Sequence, residues 1–114
     1  MLGSYSARAR LLTVVQYDRP KTVSPPYVNS MWEKQSLPFS GDVVNSYNDG
    51  SPGPGKAPLG GFYEIETSSP GAELAPGQSL VHTHRTFHLV GDAASLEPVA
   101  KAMLGVSLAN VAPR

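Results

Sequence analysis

The chain has 114 residues with nine basic and nine acidic side chains, so its formal net charge is zero; that balance excludes the electrostatic footprint of a nucleic-acid or anionic-membrane binder. It has no cysteine, which excludes disulfide scaffolds, cysteine–zinc sites and thiol nucleophiles. Eleven Pro and eleven Gly favour turns and short extended elements over a helical bundle, and the length allows one domain at most, where a large β-sandwich takes roughly 200–250 residues.

The N-terminal run MLGSYSARARLLTVV places two arginines before Leu11–Val15, an apolar stretch too short for the core of a signal peptide. No segment approaches the ~18 apolar residues of a membrane span. The first predicted strand is Ala7–Tyr17, where Leu11, Leu12, Val14 and Val15 are β-prone and Arg8 and Arg10 share one face. A loop follows, broken by Pro20, Pro25 and Pro26. Tyr27–Lys34 alternates in the manner of a second strand, and Asp42–Tyr47 reads as a short third one. Asn48-Asp49-Gly50 then opens a long Pro- and Gly-rich loop, SPGPGKAPLGG, which is either a solvated connector or a functional loop.

Phe62–Thr67 is the next predicted strand. Pro70–Gln78 turns the chain, with Pro76-Gly77 suited to a type II turn. Ser79–Val90 reads as the longest strand, with Val81, Thr83, Arg85, Phe87 and Leu89 facing a core. The period then changes: Leu96, Val99, Ala100, Met103 and Leu104 form an apolar helical stripe. Within this helical segment, 91–111, Ser95 is the expected N-cap, Pro98 falls in the first turn, and Gly105 is the stop. A last turn over Ser107–Val111 follows.

Chemistry-bearing residues gather late in the chain. His82, His84 and His88 share one face of the last predicted strand. The H-x-H pair could supply two metal ligands, with a carboxylate from another strand. His88 lies about 13 Å further along, at ~3.3 Å per residue, too far to join them on one ion. The alternative, a polar strand face with no metal, is the expectation adopted. Glu64 and Glu66 share a face of their strand, where paired carboxylates can serve as acid and base or stand as solvated surface groups. Trp32, Tyr27, Tyr47, Tyr63, Asn48 and Asp49 form a composition suited to sugars, with rings for stacking and amides and carboxylates for hydroxyls. No G-x-S-x-G nucleophile elbow and no properly spaced phosphate loop occurs.

Phe62-Tyr63-Glu64-Ile65-Glu66-Thr67, then Leu74-Ala75-Pro76-Gly77-Gln78, then His82-Thr83 and Phe87-His88-Leu89 resemble the C-terminal end of the aldose epimerase (galactose mutarotase-like) superfamily. The wider pattern YVNSMWE…GDVVNSYNDG…LGGFYEIETSSP…LAPG…HTHRTFH is similar to uncharacterised bacterial proteins allied to that superfold, over about Leu11–Leu108. The resemblance implies a two-sheet supersandwich of which this chain is the C-terminal portion, a fragment of the larger fold. It also implies that Glu66 matches the glutamate that takes the proton of the anomeric hydroxyl. Ser68 stands where the family carries glutamine, and the acid histidine belongs to a segment outside this chain. His82 matches the closing strand's His-Thr.

The expected fold is therefore all-β: an antiparallel β-sandwich, part of a supersandwich, with one C-terminal α-helix, in a single domain or domain portion over 1–114. The expected function is carbohydrate recognition or conversion. If catalytic, the chain is an aldose epimerase-like isomerase with Glu66 and Glu64 as catalytic residues; Trp32, Asn48, Asp49, His82 and His84 are the substrate contacts. The alternative is a non-catalytic sugar-binding or structural module. No cofactor or metal is expected. The expected partners are a small-molecule sugar and either a second copy of the chain or a missing N-terminal half, with no nucleic acid and no membrane.

Overall fold

The computed structural model describes residues 1–19, 26–31 and 33–111. Its elements in chain order are β1 (Leu2–Ser6), β2 (Leu11–Tyr17), β3 (Val44–Asn48), β4 (Tyr63–Thr67), β5 (His84–Val90), α1 (Ala93–Leu104) and α2 (Leu108–Val111). The class is all-β with antiparallel pairing throughout the named strands and a C-terminal helix, as the sequence predicts. The chain divides into two compact units: Met1–Asp18 with Thr83–Arg114, and Arg19–His82.

In the first unit the strand order is β1-β2-β5, so β2 is central. The apolar run predicts β2, but the strand begins at Leu11 and not at Ala7, and β1 precedes it as a strand that the sequence pattern does not predict. Residues 7–10 form a turn instead. Arg10 takes a positive φ of 51°, its N–H reaches the Ala7 carbonyl at 3.3 Å, and the Ser6 hydroxyl accepts the Ala9 N–H at 3.2 Å. Arg8 and Arg10 are thus exposed turn residues, not partners on a strand face.

Antiparallel register sets which side chains share a face. Tyr5, Leu12 and Leu89 form one row, and Gly3, Val14 and Phe87 the next row on the same face. Leu96 and Ala100 of α1 and Leu108 of α2 close over this face, leaving Leu12 and Val14 at 0% and 1% exposure. Burying each such side chain stabilises the unit by about 1.5–3 kcal/mol. The helices contact β2 and β1, and the Leu104 side chain reaches Gly3. A Cβ on Gly3 would meet the Thr13 carbonyl oxygen at 2.5 Å and Leu104 Cδ1 at 2.9 Å. This placement corrects the expected core face of β5. Only Leu89 joins the core cluster, whereas Arg85 is exposed and Phe87 remains 42% exposed on a strand at the edge of the sheet.

The helix starts three residues earlier than expected. Asp92 is the N-cap: its Oδ1 accepts the Ser95 N–H at 2.7 Å and the Ser95 hydroxyl at 2.6 Å. Pro98 consequently lies in the second turn, where its missing N–H leaves the carbonyl four residues back without that helical donor. Gly105 closes the helix in the left-handed conformation, at φ 73°, as expected. Met103, placed in the predicted stripe, is exposed. Glu97 Oε2 accepts the Leu108 N–H at 2.9 Å and so satisfies a donor at the start of α2, while its other oxygen pairs with Lys101 at 3.0 Å.

The second unit is built on the antiparallel β3–β4 hairpin. Its ladder is extended at both ends by Ser68 N–H to Val43 O at 2.9 Å and Asp49 N–H to Phe62 O at 3.1 Å. The strand expected over Tyr27–Lys34 does not form among the described residues; Tyr27 makes only an isolated bridge to Ser40. Side chains take the backbone groups that a ladder would use. Asn29 Oδ1 accepts the Met31 N–H at 3.2 Å, and Gln35 Nε2 donates to the Met31 carbonyl at 3.3 Å. The chain also packs against itself too closely for a side chain at Gly41, where a Cβ would collide with the Val28 carbonyl group. The Pro76-Gly77 turn forms as expected, with Gly77 at φ 84° and Gln78 N–H bonded to Ala75 O at 3.0 Å. Residues 79–83, expected as the first part of the longest strand, lie outside any ladder.

Candidate functional site

The hairpin register creates the site. Asn45 stands opposite Glu66 and Tyr47 opposite Glu64, so these four side chains share one face of β3–β4. That face lines a cleft of about 770 Å³, completed by Asn29, Met31 and Asp42 among others. Across the ladder, Asn45 Nδ2 donates to Glu66 Oε2 at 3.1 Å. The Tyr47 ring packs against Phe62 with centroids 5.7 Å apart and planes tilted by 35°. Its hydroxyl donates to Asp49 Oδ1 at 3.3 Å. Burial raises the Tyr47 pKa above its ordinary value; the Asp49 carboxylate raises it further by charge and hydrogen bond, and Glu64 adds to this.

Glu66 and Glu64, the expected catalytic pair, therefore lie on one wall of one cleft. The expected substrate contacts separate. Asn48 is exposed and alternates to the opposite face of β3 from Tyr47. The Asp49 carboxylate is occupied by the loop that follows it, accepting the N–H groups of Leu59, Gly60 and Gly61 at 3.1, 2.7 and 3.0 Å. His82 shares a 2.9 Å hydrogen bond with Thr67, which points away from the Glu66 face. His84 belongs to β5 in the other unit, where its Nε2 lies 3.0 Å from the Thr86 hydroxyl. Trp32 lies outside the described residues.

The histidines do not share one strand. His84 and His88 do share a face of β5, and His88 Nδ1 lies 3.1 Å from the hydroxyl of buried Thr13. Among the described residues no group of three or more His, Asp or Glu side chains is placed to hold a metal ion. No helix among them is long and apolar enough to cross a membrane.

A family model described as "Family of unknown function (DUF6786)" matches residues 1–113. The chain belongs to this family. No curated protein and no solved structure matches it. In this DUF6786 chain, sequence reasoning missed Asn29, Asn45 and Asp42 as cleft residues. Asn45 becomes visible only once β3 and β4 are paired in register, and the loop between them hides that pairing from any local pattern.

Chemically, the cleft offers three carboxylates, a phenol and two amides. Carboxylates accept only, an amide both donates and accepts, and the Tyr47 proton is committed to Asp49. Such a set can exchange hydrogen bonds with hydroxyl groups, and a carboxylate in it can accept a proton.

Proposed function

We propose that the β3–β4 cleft binds a sugar and that the chain serves carbohydrate recognition. The carrying observation is the Asn45–Glu66 pair, set beside Tyr47 and Glu64 in one cleft of about 770 Å³. That volume falls within the roughly 300–1,000 Å³ of small-molecule sites. An amide and a carboxylate side by side supply the donor and acceptor that a pair of vicinal hydroxyls requires. The resemblance of FYEIET, LAPGQ and the later His-Thr to the aldose epimerase superfamily supports the same reading. In the converting form of this reading, Glu66 takes the anomeric proton as general base.

A second reading, binding without conversion, is favoured by two contacts. One Glu66 oxygen already accepts Asn45, and the His82 ring is engaged by Thr67 on the far side of the strand. The deciding experiment is an amide NMR titration of the whole chain with D-galactose and D-glucose, followed by polarimetry of α-D-glucose. Saturable shifts at Asn45, Tyr47, Glu64 and Glu66 support sugar recognition, and their absence with both sugars refutes it. Mutarotation faster than buffer, lost in Glu66→Gln, selects conversion; an unchanged rate with intact binding selects the non-catalytic module.

A further inference from the structure

Met31 closes a circuit of hydrogen bonds with two side-chain amides. Its N–H donates to Asn29 Oδ1 at 3.2 Å. Asn29 Nδ2 donates to Gln35 Oε1 at 3.1 Å. Gln35 Nε2 then donates to the Met31 carbonyl at 3.3 Å. The backbone of Met31 fixes the sense of this circuit. Its N–H can only donate and its carbonyl can only accept, so neither amide can be turned over without setting oxygen against oxygen and N–H against N–H. Asn29 and Met31 line the cleft, whereas Gln35 does not. The backbone N–H of Asn29 bonds the Pro38 carbonyl at 2.8 Å, so its main chain is anchored independently of its side chain.

We infer that Gln35 is a positioning residue of the cleft. From outside the lining it fixes the Asn29 amide so that one side-chain N–H is bonded and the second, which no described residue takes up, donates to the ligand. That the ligand is a sugar rests on the function proposed above; the Gln35–Asn29 coupling does not. Donors matter here because the lining carboxylates of Asp42, Glu64 and Glu66 only accept when ionised. A sugar hydroxyl both donates and accepts, so carboxylates alone leave its oxygen without a donor. An Asn29 amide turned the other way would add another acceptor oxygen to that wall. Asn45 does not replace it in full, since its own amide already donates to Glu66. The three bonds of the circuit run in one sense and polarise one another, which holds the amide more firmly than one bond alone. Asn29 and Gln35 are both half-buried, so the circuit is partly sheltered from competing water.

The test uses the whole chain, labelled with heavy nitrogen, the Asn29 side-chain signals being those lost in Asn29→Ala. Without sugar, Gln35→Ala shifts the Asn29 side-chain N–H signals and speeds their exchange with water. For D-galactose, Asn29→Ala and Gln35→Ala each weaken binding by roughly threefold to tenfold, the scale of one hydrogen bond. The double variant binds no weaker than Asn29→Ala alone, because Gln35 acts through Asn29; a Gln35 that merely supported the fold would add its own loss. Asn29 side-chain signals unmoved by Gln35→Ala, galactose affinity unchanged in Gln35→Ala, or additive losses overturn the proposal. If wild-type chain binds no sugar, the carbohydrate reading falls and the Asn29 side-chain signals alone decide the role of Gln35. If Gln35→Ala does not fold, Gln35→Met, which keeps the length of the side chain and removes both polar groups, is read in the same way. If neither folds, the wild type decides: nuclear Overhauser contacts must join the Asn29 side-chain N–H to the Gln35 side chain, and their absence overturns the coupling.

Discussion

Asn45 Nδ2 and Glu66 Oε2 meet at 3.1 Å across the β3–β4 hairpin, with one residue on each strand holding the other in place. The pair lies on an open wall, so Glu66→Gln removes a charge without leaving a buried group unsatisfied. The fold should be retained, with a near-UV spectrum and melting temperature close to wild type. Affinity for a sugar in the cleft should fall by about tenfold or more, the scale of a hydrogen bond to a charged group. Calorimetric titration with D-galactose measures it, and equal affinity in the variant would remove Glu66 from the site.

Gly3→Ala should destabilise the first unit. The added methyl meets a backbone carbonyl at 2.5 Å on one side and the Leu104 side chain at 2.9 Å on the other. Leu104 can move, but the Thr13 carbonyl is held in the central strand. A cost of about 1–3 kcal/mol is expected for overpacking of this kind, read as a lower midpoint in urea unfolding. Shortening the contact from the helix side, with Leu104→Ala in the same chain, should recover only part of the loss.

Gly41→Ala tests the wall of the cleft in the same way. A Cβ there collides with the Val28 backbone, and two hydrogen bonds, Gly41 N–H to Tyr27 O at 2.9 Å and Asn29 N–H to Pro38 O at 2.8 Å, hold the segments together. The segment must separate or the turn around Pro38 must open. Backbone amide shifts confined to residues 26–31 and 38–45 are expected, together with weaker sugar binding. An unperturbed spectrum would mean that this close approach is easily relieved.

Much of the fold was legible because the signals were local. The apolar run of β2, the FYEIET strand, the Pro-Gly turn and the helix stop at Gly105 each follow from a short window of sequence. What escaped depended on partners distant in the chain or on unusual turn chemistry. The turn after β1 uses Ala7–Arg10, with neither Gly nor Pro, so nothing marked β1 as a separate strand. The alternation of Tyr27–Lys34 looked like a strand, yet Asn29 and Gln35 side chains claim its backbone. For the site, the shared face of Glu64 and Glu66 follows from period-two geometry, whereas Asn45 needs the hairpin register. Asn-Asp-Gly suits sugars and turns equally, and the three backbone N–H groups that the Asp49 carboxylate accepts become visible only in the folded loop.

The C-terminal helices carry an acid-sensitive pair. Hydrogen bonds from the Ser95 hydroxyl and N–H hold the Asp92 carboxyl below its ordinary pKa, and those from the Leu108 N–H and Lys101 do the same for Glu97. Both groups are therefore depressed in the folded state, and the unfolded chain binds protons first as pH falls. Their contribution is present in full above the unfolded carboxylate range, about pH 4, and is lost as pH drops through the lower folded values. Melting followed at the helix band should show a flat midpoint from pH 7 down to about pH 5 and a decline below about pH 4. The variant carrying both Asp92→Asn and Glu97→Gln should melt lower at pH 7, because the N-cap and the link to α2 are weakened, yet lose less on further acidification. An equal acid slope in wild type and variant would assign the acid sensitivity to other carboxylates.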